Sequence, residues 1–433
     1  MAAMISSRGF GNDVPGLIII TFFCLVAAAL SFSSVSAYGL DNAFGVAAGS
    51  VAVIAMSQCL ILAARPRLLE PLFGGLDHMY RAHKWLGITA LGLMLAHDQF
   101  EPDFEHWVRE TGIGDFSKDL GEVVLYGLIT LILLSWIKRI PVIGWEVPYQ
   151  LWWFTHRLTG SFFALVVIHQ MLVDTPYAWN DPLAVYLNVF CALGLGSYLF
   201  IQLLARRFRR RAYRVESMER QAGVTDLTLT PLGRPMRWRP GQFAFLNVPG
   251  FGLGEAHPFS ITEPPHPTDR VRFAIKPLGD WTRRLPKRLS PGATVEVEGP
   301  YGHFNFRKGG PKQIWIAGGV GITPFLAWAQ SLAAEEQRSI YLIYSVRREQ
   351  DAIGLDVLNE VAKTVPAFSF DLVVSSQEGR LTADGLVGRA PFSPKDADLF
   401  FCGPSNLRRA ILRGLKARGL APKRVRFEYF EFR

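Results

Sequence analysis

Two apolar stretches of the chain decide the fold: YRAHKWLGITALGLMLAHDQF (residues 80–100) and QLWWFTHRLTGSFFALVVIHQMLV (residues 150–173). Each contains two histidines, 14 residues apart in the first stretch and 13 in the second: His83 and His97, then His156 and His169. In helices these spacings correspond to roughly 21 and 20 Å, a large part of a bilayer hydrocarbon core of about 30 Å. Imidazoles are costly inside a membrane and usually functional there. Two parallel helices of this kind predict two haem irons, one above the other, each bound by one imidazole per helix. Histidines hydrogen-bonded within a bundle are the alternative.

The two spacings are not equivalent around a helix. At about 100° per residue, 14 residues return a side chain to within about 40° of its starting face, whereas 13 leave it about 140° away. The second pair therefore requires two iron sites at different azimuths or a local distortion, for which Thr159, Gly160 and Ser161 are candidates. Phe162 lies midway between His156 and His169, where it either fills the space between two haems or packs as an ordinary aromatic residue.

Composition points to a membrane protein. Hydrophobic residues make up 49% of the chain, and the mean hydropathy is +0.18. The four cysteines show no C-x-x-C spacing, which disfavours a disulfide framework or a zinc site. The net charge of +9 lies largely beside apolar segments, so nucleic-acid binding is not expected. Six segments are expected to span the bilayer: 15–35, 43–64, 80–100, 121–137, 150–173 and 183–205.

Charge sets the expected orientation. Basic residues cluster at alternate ends of the spans, and the opposite loops are acidic, so the positive-inside rule places both termini in the cytoplasm. We expect a multi-pass protein of the cell inner (plasma) membrane. The third and fifth spans then run in the same direction, which pairs His83 with His156 at the inner level and His97 with His169 at the outer level. The basic run from Arg206 to Arg211 is interpreted as an anchor on anionic lipid headgroups.

The second half of the chain has a different pattern. Short β-rich runs punctuated by Gly and Pro predict a small antiparallel barrel, and a later alternation of strands and helices predicts a parallel α/β sheet. The expected strands cover residues 226–230, 242–248, 271–275, 294–298, 314–317, 340–344, 369–374 and 399–401. We therefore predict a multidomain membrane protein with three domains: a six-helix transmembrane di-haem bundle (1–210), an antiparallel β-barrel (211–310) and a Rossmann-like α/β domain (311–433).

Two turns are expected at one edge of the parallel sheet. The first follows a buried strand and opens a helix, which suits a dinucleotide diphosphate, although a plain strand-to-helix turn is the alternative. It contains Gly318, Gly319, Gly321 and Thr323. The second is Cys402-Gly403-Pro404, whose thiol is either a small packing residue or a neighbour of a nicotinamide ring.

Cationic side chains near this edge suggest which nucleotide binds. Arg347 and Arg348 follow a buried strand, and a guanidinium there suits a 2′-phosphate, which favours NADPH over NADH; solvated surface charge is the alternative. Lys276, directly after the strand at 271–275, is another cofactor-binding candidate.

An ordered set of motifs resembles a known family. His257-Pro258-Phe259-Ser260, Gly279-Asp280-Trp281-Thr282, Glu298-Gly299-Pro300-Tyr301-Gly302, the turn from Gly318 and Cys402-Gly403-Pro404 follow one another as in ferredoxin-reductase-type flavin modules. Together with the paired histidines, residues 10–433 resemble the NADPH oxidase and ferric reductase superfamily. In that superfamily such a module is fused to a ferric-reductase-like membrane domain.

The resemblance implies roles for individual residues. His257 to Ser260 would contact the isoalloxazine of FAD, with Gly279 and Thr282 near its pyrophosphate. Gly318 to Thr323 would bind the nicotinamide dinucleotide, and Cys402 to Pro404 would flank its ring. Many relatives end in an aromatic residue that stacks on the flavin, so Phe430, with Phe432 as second choice, and Cys402 are the catalytic candidates.

The resemblance also implies an activity. Electrons would pass from cytoplasmic NADPH through FAD and two b-type haems to an acceptor outside, most simply O2 giving superoxide, with a ferric chelate as the alternative. A cytochrome-b carrier that feeds a quinone or a partner protein is a rival of another class, and a non-enzymatic haem-binding protein is a third. Besides the lipid bilayer and the acceptor, no obligatory protein partner is expected.

Overall fold

The computed structural model describes residues 14–104, 106–137, 147–221, 223–250 and 255–428. The chain divides into two compact units, the first ending at Phe208 and the second beginning at Arg209. Phe430 and Phe432, the candidates for flavin stacking, lie outside the described residues.

The first unit is helical. Its long helices are α1 (Val14–Val35), α2 (Leu40–Ala63), α3 (Leu76–Gln99), α4 (Gly114–Trp136), α5 (Tyr149–Leu172) and α6 (Pro182–Leu199). A π-helical turn (Phe200–Leu204) and a short helix (Ala205–Arg209) continue α6.

Five of these helices are long and apolar enough to cross a membrane, as judged over the described residues by length and composition. The exception is α3, which carries four charged residues: Asp77, Arg81, Lys84 and Asp98. Six long helices are thus present where six spans were expected, and α3, the helix with the first histidine pair, is the most polar of them. A helix that places imidazoles within a membrane needs partners for them from its neighbours, because lipid offers none.

The second unit begins with an antiparallel sheet. Its strands are β1 (Arg210–Gln221), β2 (Val224–Pro231), β3 (Phe243–Asn247), β4 (His257–Ser260), β5 (Val271–Ile275) and β6 (Thr294–Tyr301), in the order β4-β3-β6-β1-β2-β5. A bridge between Ile261 and Phe273 joins the two edges. A helix, α7 (Asp280–Arg288), separates β5 from β6.

A parallel sheet follows. Its strands are β7 (Lys312–Gly318), β8 (Ser339–Val346), β9 (Phe368–Val374), β10 (Asp398–Cys402) and β11 (Arg424–Phe427), in the order β11-β10-β7-β8-β9. The helices are α8 (Thr323–Ala329), α9 (Leu355–Thr364), α10 (Ala383–Arg389) and α11 (Ser405–Ala417). Trp315, Phe325 and Trp328 are fully buried between sheet and helices.

All eight expected strands are present, and three further strands were missed. β1 and β11 are rich in arginine, and β4 contains a proline, so none shows the apolar run that marked the others. The basic run 206–211 therefore needs a correction. Arg210 and Arg211 belong to β1 and pair with β6, and the Arg210 guanidinium lies 2.8 Å from the carboxylate of Glu296.

Candidate functional site

The predicted inner histidine pair is brought close together, edge to face. The rings of His83 on α3 and His156 on α5 have centroids 5.9 Å apart at an interplanar angle of 73°. Metal–imidazole bonds are about 2 Å long, so two such bonds plus the half-widths of two rings span about 6 Å. The pair therefore has the separation that one metal ion between the rings requires. This contact also requires α3 and α5 to bring their N-terminal halves together.

The first histidine-bearing helix is held by α2. The Nδ1 atom of His83 lies 2.9 Å from the carbonyl oxygen of Cys59, and that of His97 lies 2.8 Å from the carbonyl oxygen of Gly45. Since a carbonyl only accepts, each Nδ1 carries the proton and donates it. The Nε2 atom of each ring is then the nitrogen with a free lone pair, the form that binds a metal.

The second histidine-bearing helix is held in the same way by α4. The Nδ1 atom of His169 donates to the carbonyl oxygen of Ser117 at 2.7 Å. The Nδ1 atom of His156 lies 3.1 Å from the hydroxyl of Ser135, which itself donates to the carbonyl of Leu131. Ser135 is therefore an acceptor for His156. Hydrogen bonds of this kind usually orient metal-binding imidazoles.

Two glycines make room for the outer pair. A Cβ atom at Gly49 of α2 would lie 2.9 Å from the Nδ1 of His97, and one at Gly121 of α4 would lie 3.0 Å from the Cε1 of His169. Each glycine follows the carbonyl acceptor by four residues, one helical turn further along the same face. The outer histidines are thus positioned by matching devices on two different helices.

The course of helix α5 bears on the different azimuths of His156 and His169, for which a helix distortion and two differently placed iron sites were the alternatives. It is unbroken from Tyr149 to Leu172, so the distortion considered near Thr159 is absent; the Thr159 hydroxyl instead donates to the His156 carbonyl at 2.6 Å. Phe162 packs against Gly127 of α4, where an added Cβ would lie 2.0 Å from the ring. Sites at different azimuths remain as the explanation.

A metal at either level would need ligands beyond the protein. Among the described residues, no three His, Cys, Asp or Glu side chains converge as a metal-binding group. Two facing imidazoles leave the equatorial positions to another donor set, as an iron porphyrin provides. The histidine pairs fit that group better than they fit a directly coordinated zinc ion.

The expected flavin contacts lie on the edge strand β4. The ring of His257 is 4.5 Å from that of Trp281, and Phe259 lies 5.9 Å from the same indole. The Ser260 hydroxyl and one Glu255 carboxylate oxygen are buried without a partner among the described residues. A polar ligand beside β4 would satisfy such groups, which fits FAD.

The two residues predicted to contact the FAD pyrophosphate, Gly279 and Thr282, are already hydrogen-bonded to each other. The Thr282 hydroxyl oxygen accepts hydrogen bonds from the backbone N–H groups of Leu278 and Gly279, at 2.9 and 3.0 Å. These groups hold the start of α7 together. Any diphosphate contact at Gly279 and Thr282 must therefore use neighbouring donors or displace this pairing.

The two predicted turns meet at the edge of the parallel sheet. Ala317 and Cys402 are paired residues of β7 and β10, and the turns that follow them touch through backbone atoms. A Cβ at Gly321 would lie 2.3 Å from the carbonyl oxygen of Cys402, and one at Gly403 would lie 2.9 Å from the backbone nitrogen of Gly318. Glycine is required where two backbones approach this closely.

Cys402 itself is fully buried. Burial, together with the charge of Glu428, raises the pKa of its thiol well above the ordinary value. The sulfur therefore stays protonated at neutral pH and is not an activated nucleophile. Its place in the core suits a small packing residue; a position beside a nicotinamide ring stays a prediction.

A cleft collects the cations that the sequence singled out. It has a volume of about 600 Å³ and is lined by Gly223, Val224, Lys276, Val320, Arg347, Arg348, Asp351, Ile353 and Ser376. Arg348 is paired with Asp351 at 2.8 Å, which lowers the pKa of that carboxyl. Among the described residues, no carboxylate pairs with Arg347, so Arg347 and Lys276 supply the available positive charge.

Sequence reasoning missed the residues that orient the histidines. Ser117 and Ser135 are 18 residues apart, which is five helical turns, so they lie on one face of α4. That spacing in an apolar helix was a usable signal. The acceptors on α2 are backbone carbonyls, and no side chain could have indicated them.

We predict that Gly321→Ala destabilises the chain. The new methyl group must push the turn after β7 away from Cys402, and overpacking of this kind costs roughly 1–3 kcal/mol. Thermal unfolding of the detergent-solubilised chain, followed by tryptophan fluorescence, should begin at a lower temperature. The control is Gly388→Ala in α10, where nothing lies within 4 Å of an added Cβ. Equal unfolding temperatures for the two variants would contradict the close approach.

Comparisons with known proteins agree with this arrangement. Residues 48–168 match the family described as the ferric reductase like transmembrane component, residues 211–305 match an FAD-binding domain, and residues 315–412 match an oxidoreductase NAD-binding domain. The flavohemoglobin of Malassezia yamatoensis, solved with bound FAD and heme, covers 93% of this chain and 98% of its own with a TM-score of 0.50. At 18% identity, that likeness shows the fold alone.

Curated relatives match different parts of the chain. The 2-halobenzoate 1,2-dioxygenase electron transfer component of Burkholderia cepacia is 31% identical over 200 residues, which are 44% of this chain and 58% of that protein. Ferric reduction oxidase 8 of Arabidopsis thaliana is 27% identical over 319 residues, which are 67% of this chain and 40% of that protein. The chain thus spans less than two thirds of the length of either relative. A ferric-reductase-like membrane component followed by FAD-binding and NAD-binding domains shows that this membrane protein belongs to the NADPH oxidase and ferric reductase superfamily.

Proposed function

We propose that this chain transfers electrons from cytoplasmic NADPH, through FAD and two b-type haems, across a membrane to an acceptor on the other side. The observation that supports it most is the facing pair of His83 and His156, whose Nδ1 atoms both have hydrogen-bond partners on neighbouring helices. Family membership supports the flavin and nicotinamide parts of the proposal.

The two histidine pairs would hold the haem irons. His83 and His156 would hold one haem, and His97 and His169 the other. When bound, FAD converts hydride transfer into single electrons, and the haems carry those electrons one at a time. The protein contributes the ligand spacing and the donated Nδ1 hydrogen bonds, which make each imidazole a stronger ligand. The glycines at 49 and 121 let the outer rings approach their acceptors.

The soluble unit binds the electron donor. His257, Phe259 and the buried Ser260 hydroxyl would line the flavin, while the backbone at Gly318 to Thr323 would receive the nicotinamide dinucleotide. Lys276 and Arg347 would bind the 2′-phosphate of NADPH, since both line the cleft and Arg348 is already neutralised by Asp351. The catalytic role of Phe430 stays a prediction of the family resemblance.

The charge pattern supports the orientation. Arg65 and Arg67 after α2 and Arg206 and Arg207 after α6 flank the ends that the positive-inside rule assigns to the cytoplasm. The helices α3 and α5 then enter the membrane from the cytoplasmic side. The soluble unit and both termini are cytoplasmic, and the membrane is the inner membrane of the cell.

The names of the relatives bear on the acceptor. Several proteins that align over 65–73% of this chain, including part of its membrane unit, are called ferric reduction oxidases. That favours a ferric chelate as the acceptor. Oxygen, giving superoxide, is the second candidate, because histidine pairs that hold haem would supply single electrons to either acceptor.

The ligand assignment predicts the haem content of variants. Replacing any one of His83, His97, His156 and His169 by Ala removes an axial ligand, so each variant should retain about half of the haem bound by the wild type. Pyridine haemochromogen assay of the purified chain measures this. His106→Ala, at an exposed loop position, is the matched control and should retain all of it. A full haem complement in any of the four variants would remove that residue from the ligand set.

The cleft predicts a change in nucleotide preference. Arg347→Gln removes a guanidinium that no carboxylate of the described residues neutralises. A hydrogen bond to a charged group contributes about 1.5–3 kcal/mol, so KM for NADPH should rise roughly 10- to 100-fold with little change for NADH. Steady-state haem reduction with each nucleotide measures this. Arg348→Gln is the control and should have the smaller effect, because Arg348 already pairs with Asp351. Equal effects of both variants on both nucleotides would refute the phosphate role.

One spectroscopic experiment tests the whole function. Adding NADPH and FAD to the purified chain, without dithionite, should produce the spectrum of reduced b-type haem. Ferric citrate should then reoxidise it faster than oxygen does, and superoxide dismutase should not affect the rate of ferric reduction. Failure of NADPH or NADH to reduce bound haem would favour a cytochrome-b carrier fed by another donor. Faster reoxidation by oxygen, with superoxide as product, would make the chain an oxidase.

A further inference from the structure

A buried arginine lies near the outer histidine pair and has no role in the function proposed above. Arg109 is in the loop between α3 and α4 and is 5% exposed. Its Nη2 atom donates to the carbonyl oxygens of Gln170 and Val173, at 3.1 and 2.7 Å. Both carbonyls belong to the C-terminal end of α5, directly after His169. Part of the guanidinium therefore caps that helix.

Capping accounts for only one of the three nitrogens. The Nε and Nη1 atoms of Arg109 are buried without a hydrogen-bond partner, and no carboxylate within the described residues forms an ion pair with this side chain. The nearby Asp174 is engaged elsewhere, because its Oδ1 accepts from the backbone N–H and the hydroxyl of Thr111. Buried guanidinium nitrogens without acceptors are costly, so the site favours a ligand that accepts hydrogen bonds, above all an anion.

A second buried polar group lies beside it. Gln170 is 8% exposed, and both polar atoms of its side-chain amide lack a partner among the described residues. Trp179 covers the guanidinium, with its ring centroid 4.2 Å away, and is itself 47% exposed. The partly exposed Trp179 thus lies against one face of the buried guanidinium.

The backbone fixes this arrangement. Arg109 and Thr175 exchange backbone hydrogen bonds at 3.0 and 3.1 Å, which ties the loop before α4 to the loop after α5. Burial lowers the pKa of Arg109, and the charges of Tyr177 and Asp174 oppose that effect. Arginine remains protonated in proteins, so the positive charge persists.

We propose that Arg109 and Gln170 form a carboxylate-binding site at the C-terminal end of α5, adjacent to His169. The site offers unused N–H donors from a guanidinium and an amide, which suit a carboxylate through charge-assisted hydrogen bonds. Two sources of that group fit: a propionate of the outer haem, or a carboxylate of a ferric chelate such as citrate. The inference rests on the proposed function, because either source belongs to it.

The test compares Arg109→Gln and Gln170→Leu in the purified full-length chain. The control is Lys118→Gln, which removes a positive charge near the same loop from a side chain that is 53% exposed and paired with Glu101. Three quantities are measured: the reduction potentials of both haems in buffer free of carboxylates, the KM for ferric citrate and for a ferric chelate without carboxylates, and calorimetric binding of citrate alone. Arg109→Lys, which keeps the charge, is added in case Arg109→Gln does not fold.

The outcomes separate the two sources. If a propionate occupies the site, Arg109→Gln lowers one haem potential by about 59 mV, the one-electron equivalent of a tenfold change in equilibrium constant, and leaves KM unchanged. If a chelate occupies it, the potentials stay constant, KM for ferric citrate alone rises about tenfold and citrate binding weakens. The proposed site would be wrong if Arg109→Gln and Gln170→Leu both behaved like Lys118→Gln in haem potentials, in KM and in citrate binding. If the wild-type chain bound no haem, the proposed function would be refuted. The carboxylate site would then be tested by citrate binding alone, which should be weaker in Arg109→Gln than in the wild type.

Discussion

The hydrogen bonds donated by the histidine Nδ1 atoms are the constraint on which the membrane unit depends. In lipid, an imidazole N–H without an acceptor costs several kcal/mol, because no water replaces the lost partner. His83 and His97 donate to α2, and His169 donates to α4, where Ser135 also accepts from His156. Each histidine-bearing helix is thereby tied to the helix that precedes it. The same bonds turn Nε2 of each ring away from the acceptor helix, where it can meet a metal.

The second unit depends on a different contact, between two backbones. The turns after β7 and β10 touch at Gly321 and Gly403, and no side chain fits between them. Because both strands are parallel, their carboxyl ends open on one edge, and the cleft lined by Lys276 and Arg347 lies at that edge. The parallel direction of the strands therefore brings cationic groups such as Lys276 and Arg347 to one cleft, although they are far apart in the sequence.

Several features were predictable because they follow from local chemistry. The apolar runs located all eight expected strands. The distribution of basic residues gave the direction of the spans and hence the pairing of His83 with His156. The predictions were wrong where a local pattern was interpreted without its neighbours. Arg210 and Arg211 were interpreted as part of an anchor for lipid headgroups but belong to β1.

The sequence alone determined which residue types are present and at what intervals: two histidine pairs, a glycine-rich turn and a succession of domain types. It could not determine which atoms meet across the structure. The acceptors on α2 are main-chain carbonyls, which every residue carries, and the pairing of Arg348 with Asp351 is visible only in the folded chain. The strength of hydrogen bonds and ion pairs falls off within a few ångströms, so tertiary contacts decide which groups become partners. The periodicity of a helix or strand depends only on the order of the residues and can be recognised from the sequence.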